Sequence, residues 1–215
     1  MHDSEDANHH WLKQGSTESE EVRHSYDDWV DSYDEDLAGW DYRAPAEAAA
    51  MLRETVPPTA TILDMGCGTG LTGRALREAG FTGAIDGTDL SPASLDAARR
   101  RGVYRELRPA NLQELPLARP DDGYDALICI GVLTYVPDSD GVLREFARLV
   151  RPGGTVLVTQ RDDLFAARDF GGVIERLRAA GIFAAATLTE PRPYLPLNPD
   201  FGAETLVIFA RLTVA

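Results

Sequence analysis

The chain of 215 residues has little cysteine, histidine or lysine: two, four and one residue respectively. Cys67 and Cys129 lie far apart in apolar surroundings and form no Cys-x-x-Cys pair. That argues against a disulfide framework and a zinc site, and predicts buried, reduced thiols in a cytoplasmic protein with no metal centre. Three of the histidines, His2, His9 and His10, fall in a polar N-terminal stretch, which leaves His24 alone near the part expected to fold. No apolar run approaches the roughly 18 residues of a membrane span. The acidic N-terminus, MHDSEDANHHWLKQGSTESEEV, contains no apolar signal core, so a soluble chain that is not secreted and has no membrane partner is expected.

Positive charge is also scarce. The net charge is −14, and residues 1–45 hold 13 of the 35 acidic side chains against Lys13, Arg23 and Arg43. A chain without a basic stripe is poorly placed to neutralise phosphates, so nucleic acid is not an expected partner and a small molecule is. The length suits one domain with its own core, here residues 46–215. Ahead of it, residues 1–22 are polar and lack apolar periodicity, which predicts a mobile acidic tail. Residues 23–45 change character. YDDWVDSYDEDLAGWDYRAP sets Tyr26, Trp29, Val30 and Tyr33 at helical spacing, then adds Trp40 and Tyr42, predicting an amphipathic clasp or lid.

Strand patterns then alternate with helical ones. Strands are expected at 60–65, 83–90, 103–107, 124–133, 155–160, 182–190 and 205–214. A helix is expected ahead of the first strand and in each connection of the first six strands except the third to the fourth, where 108–123 reads as a loop, with Pro45 and Pro92 in first turns, Ser91 as an N-cap and Gly102 as a stop. The last two strands have no helical pattern between them, so they should pair antiparallel. The sum is an α/β, Rossmann-like, seven-stranded, mostly parallel sheet with an antiparallel last strand, helices on both faces and an N-terminal helical clasp.

The first strand runs into ILDMGCGTG, with glycines at 66, 68 and 70. Such a turn can hold phosphate, hold a nucleoside or only reverse the chain. A dinucleotide loop wants a further glycine where Leu71 stands, and a P-loop wants Lys and Ser/Thr after Gly70. Asp64, at the carboxyl end of the strand, would repel a pyrophosphate and suits a ligand with an ammonium group. Asp89, in GTDLS at the end of the next strand, stands where a carboxylate accepts from both ribose hydroxyls. Together they call for a nucleoside with a cationic, phosphate-free arm. S-adenosylmethionine fits that description, with close backbone approach allowed by the glycines.

At this point residues 25–215 resemble the class I S-adenosylmethionine-dependent methyltransferases. ILDMGCGTG matches the first cofactor motif, GTDLS the ribose motif, ANL at 110–112 the adenine loop, YDALICIGVL the fourth strand and RPGGTVLV the turn into the fifth. YDDWVDSYDEDLAGWDYRAP and ARRRGVY are most similar to the Williams-Beuren-region methyltransferase-like proteins. The resemblance implies that Asp89 binds ribose, that Asn111 and Leu112 meet the adenine, and that Gly66 and Gly68 lie against the methionine arm. It also implies that Tyr33 and Tyr42 close over that arm near its carboxylate; Leu90 and Ile130 complete the expected cofactor set with Asp64. Asn111 departs from the Asp of many members, although an amide oxygen still reaches the adenine amino group.

Methyl transfer from a sulfonium needs mainly alignment of acceptor, methyl and sulfur, with a base only if the acceptor must lose a proton. Candidates facing the methyl are Tyr26, Tyr33, Tyr135, Gln160 and Arg161, with His24 as a possible base or a surface residue. Arg161 either clamps a substrate carboxylate or pairs with Asp162 or Asp163. Two alternatives share the scaffold: a different reaction of the same cofactor, and a cofactor-binding partner protein without turnover.

Overall fold

The structure is a computed structural model that describes residues 10–201 and 204–215. Its chain runs α1 (His10–Gln14), α2 (Ser19–Trp29), α3 (Tyr33–Gly39), α4 (Ala44–Arg53), β1 (Ile62–Met65), α5 (Leu71–Glu78), β2 (Ile85–Asp89), α6 (Pro92–Arg100), β3 (Glu106–Pro109), β4 (Tyr124–Cys129), a 3-10 turn Leu133–Tyr135, α7 (Ser139–Leu149), β5 (Val150–Arg161), α8 (Asp162–Ala167), α9 (Phe170–Ala179), β6 (Phe183–Leu188), β7 (Arg192–Pro193) and β8 (Leu206–Val214).

Among the described residues the strands form one eight-stranded sheet in the order β3-β2-β1-β4-β5-β8-β6, with the short β7 on β8. The first five strands are mutually parallel, and β8 inserts antiparallel between β5 and β6. The expected mostly parallel sheet with an antiparallel last strand is therefore present, with one two-residue strand more than the seven expected.

Apolar runs such as ILDM and YDALIC bury both faces of their strands, as a doubly covered parallel sheet requires. One face packs on α7 and α9 through Leu143, Phe146, Ile174 and Leu177. The other packs on α4 and α5 through Ala48, Leu52, Ala75 and Leu76. Ser91 caps α6, its side chain accepting from the Ser94 N–H. Strand order reverses between β1 and β4, and the crevice off their carboxyl ends is where open α/β sheets take ligands.

The expected tail boundary at residue 22 needs correction. Residues 1–9, with His2 and His9, lie outside the described residues, but α1 and the first turn of α2 fall within 10–22 and are docked. Val22, Tyr26 and Trp29 recur at helical spacing on one face of α2, and Leu12 and Trp29 join Leu37, Leu195 and Phe201 in a cluster of their own, with Tyr26 and Tyr33 packed against it. A polar composition concealed this because only Leu12 and Val22 are buried among the described residues of 10–22, too few to show a period. Trp11 stands edge-on to Tyr26 at 5.1 Å, and Trp29 to Tyr33 at 4.6 Å.

Candidate functional site

Between the carboxyl ends of β1, β2, β4 and β5 and the roof made by α1–α3 lies a cavity with about 1090 Å³ of empty space, counting its mouth. Its floor is the glycine turn. Gly66 and Gly68 both take positive φ (71° and 52°), a conformation that costs little only without a side chain. A Cβ on Gly66 would overlap the Val132 side chain, whereas one on Gly68 would project into open space, 3.9 Å from the Tyr33 hydroxyl. The turn is thus packed on one side and bare on the cavity side.

Asp89 ends β2 at the cavity edge. Its Oδ2 accepts from the Gly68 N–H at 2.7 Å and its Oδ1 from the Ser91 N–H at 2.9 Å. Desolvation by the surrounding walls raises its pKa, against the lowering by these backbone donors. Leu90, Asn111, Leu112, Ile130, Tyr33 and Tyr42 line the same cavity, so nine of the ten residues expected around the cofactor are brought together.

The tenth, Asp64, is not. Strand alternation puts it on the face of Ile62, under the turn rather than above it. It is fully buried, and its Oδ2 accepts from the Tyr104 hydroxyl at 2.7 Å. Its Oδ1 finds no hydrogen-bond partner among the described residues. Burial lifts its pKa to about 7, partly offset by the Tyr104 bond and reinforced by Asp89. The expected direct partner of an ammonium group is therefore a carboxyl walled off from the cavity.

The candidates facing the methyl also divide. Tyr26, Tyr33, Tyr135 and Arg161 line the cavity. The Tyr26 hydroxyl donates to that of Tyr135 at 3.1 Å, and burial pushes both phenols up, so they stay protonated at neutral pH. Arg161 pairs in bidentate fashion with Asp163, at 3.0 and 2.6 Å, and donates to the Leu12 and Lys13 carbonyls at 3.1 Å each. The expected ion pair is thus made with Asp163, and further donors of the same side chain hold α1 in place. Gln160 turns away, with Nε2 donating to the Leu133 carbonyl at 3.3 Å and Oε1 accepting from the Arg161 N–H at 3.0 Å. His24 lies on the outer side of α2, largely exposed, 3.8 Å from Asp28, and is the surface residue rather than the base.

Tyr194, Leu195 and Phe201 line the cavity without having been expected there. They belong to the proline-rich segment PRPYLPLNPDF ahead of β8. An antiparallel strand begins where its parallel neighbours end, so the antiparallel β8 already implied that this segment passes the crevice. Tyr194 meets Tyr42 edge-on at 5.6 Å.

The sequence pattern of the methyltransferase-domain family matches residues 63–158, from β1 into β5. Over 166 residues the chain is 34% identical to methyltransferase-like protein 27 of Homo sapiens, an alignment covering 74% of this chain and 67% of that protein. The chain belongs to the class I S-adenosylmethionine-dependent methyltransferases. This methyltransferase is also 38% identical over 99 residues to the ubiquinone biosynthesis O-methyltransferase of Bordetella avium, an alignment covering 44% of its own length and 40% of the relative's. It thus matches about two fifths of that relative. In fold it is similar to a SAM-dependent methyltransferase from Thermotoga maritima, with a TM-score of 0.63, 18% identity, and coverage of 89% of this chain and 98% of that one.

The cofactor of this methyltransferase is S-adenosylmethionine. The residues present fit it: the bare side of Gly68 leaves a cradle that a Cβ would fill, and the Asp89 carboxylate stands at the end of β2 on the same cavity.

Proposed function

We propose that this methyltransferase transfers the methyl group of S-adenosylmethionine to a small-molecule acceptor inside the roofed cavity. The observation that carries the acceptor class is the roof. α1, α2 and the 194–201 segment cover the cavity, and Arg161 binds α1 carbonyls on one side while Gln113 donates to the Thr17 carbonyl at 2.8 Å on the other. A macromolecular acceptor needs an open face, whereas a small one needs only the mouth.

Asp89 accepts from the ribose hydroxyls, Asn111 and Leu112 border the adenine, and Gly66 and Gly68 give way to the amino acid arm, with Tyr33 and Tyr42 above it. When bound, the cofactor supplies a methyl on a positively charged sulfur that leaves as a neutral thioether. The chain's own contribution is alignment and exclusion of water. The aromatic faces of Tyr26, Tyr33 and Tyr135 suit a cationic centre. Among the described residues these tyrosines stay protonated and His24 is outside, which supports an acceptor that is nucleophilic without help from a protein base. The acidic surface supports an acceptor other than nucleic acid, and among the described residues no helix is long and apolar enough to cross a membrane. Incubation with methyl-labelled cofactor and a fractionated cell extract tests the proposal. Label is expected in the low-mass fraction, and label confined to protein or nucleic acid would overturn it.

A further inference from the structure

The roof is fastened to the cofactor-facing loops by side chains that the reaction itself does not call for. Asp27, on the inner side of α2, receives the Ser91 hydroxyl on Oδ1 at 2.5 Å and lies 3.4 Å from the Ala93 N–H at the start of α6. Its Oδ2 accepts from Arg23 at 3.1 Å. Ser91 is buried, and its hydroxyl at the same time accepts from the Ser94 N–H at 2.9 Å, while its own N–H is one of the two donors on Asp89. A continuous chain therefore runs from α2 through Asp27, Ser91 and Asp89 to the Gly68 N–H. A second fastening lies alongside: Asp34 on α3 accepts from the Thr69 hydroxyl at 2.6 Å and pairs with Arg101, whose Nε donates to the Thr69 carbonyl at 2.5 Å.

We infer that Asp27 is a positioning residue that couples closure of the N-terminal roof to the orientation of the Asp89 carboxylate, with Ser91 as the link. The inference rests on the reading of Asp89 as the ribose-binding group. Asp27 touches neither cofactor nor acceptor in that reading. It acts by holding the Ser91 backbone, and through it one oxygen of Asp89, while keeping α2 over the cavity. The carboxylate loses little by being half-buried, because a hydroxyl, a helix N-terminal N–H and a guanidinium all face it. A roof tied directly to the ribose group also makes cofactor affinity and roof position one equilibrium, since whatever biases one must bias the other equally.

The test uses the full chain and S-adenosylhomocysteine as probe, with affinity from calorimetry and the exposure of α2 from amide hydrogen exchange. Removing a charge-assisted partner should weaken binding about tenfold in Asp27→Ala and speed exchange in α2, with the α7 and α9 amides unchanged. Asp27→Asn keeps an oxygen for the Ser91 hydroxyl and should recover most of the affinity. In a Ser91→Ala background, Asp27→Ala should add little, because the two act through each other. A merely structural Asp27 would lower the thermal midpoint while leaving probe affinity untouched well below it, and that result, or additive losses in the double variant, overturns the inference. Asp89→Ala serves as reference. Affinity lost there but kept in Asp27→Ala sinks the coupling alone, and affinity kept in both sinks the placement of the ribose as well.

Discussion

The carboxylates of this site show how little residue type decides without environment. Asp89 and Asp64 end adjacent strands and both have raised pKa values, yet one faces the cavity with two backbone donors and the other is sealed beneath the turn with one tyrosine. The Asp64 pKa of about 7 lies above the ordinary carboxylate value, so the folded state binds more protons than the unfolded chain between those two values. Its contribution to stability is therefore greatest below the unfolded pKa, declines as pH rises towards about 7, and is flat above. Asp64→Asn keeps an oxygen for Tyr104 and removes the decline. It should gain on the order of 1–3 kcal/mol over the parent at about pH 8 and nothing at about pH 4, after allowance for the unpaired amide N–H. Urea denaturation of both proteins across that range checks it; an equal difference at the two ends refutes it. Asp64 was legible as an acidic residue beside a glycine turn. Which side of the sheet it faced depended on strand register and on Tyr104, 40 residues away.

Among the elements, those set by short-range chemistry were the legible ones. β1, the glycine turn, α5, β2 and α6 follow from apolar runs, glycines and the Ser91 cap, and their bounds match the expectation within a few residues. α1, α8 and β7 escaped because five-, six- and two-residue elements carry too little periodicity and form only against tertiary partners. The roof packs as a cluster separate from the two cores flanking the sheet, so the two should respond differently to truncation. Phe146 is fully buried in α7, and Phe146→Ala should cost about 3–5 kcal/mol of global stability. Trp29→Ala should instead free the roof at low urea, ahead of the main transition, as a separate step in fluorescence or hydrogen exchange. A single transition for Trp29→Ala with a loss as large as that of Phe146→Ala would show the roof to be part of the core.

For the whole molecule, topology and not any one motif assembles the site. The switch between β1 and β4 opens the crevice, the antiparallel β8 brings Tyr194 and Phe201 to its edge, and the N-terminal helices cover it. The parallel sheet, its reversed last strand and most of the lining around the glycine turn could be read ahead of the structure, because each reflects a local pattern repeated at a recognisable spacing. The docked residues 10–22, the exclusion of His24 and Gln160, and the commitment of Arg161 to Asp163 could not, because they depend on which surfaces meet across the chain. The central claim is that this cavity holds S-adenosylmethionine with its ribose on Asp89. Calorimetric titration of the full chain and of Asp89→Ala with S-adenosylhomocysteine tests it most directly: saturable one-to-one binding is predicted for the parent and its loss for a folded variant, whereas equal affinity in the two would contradict the account.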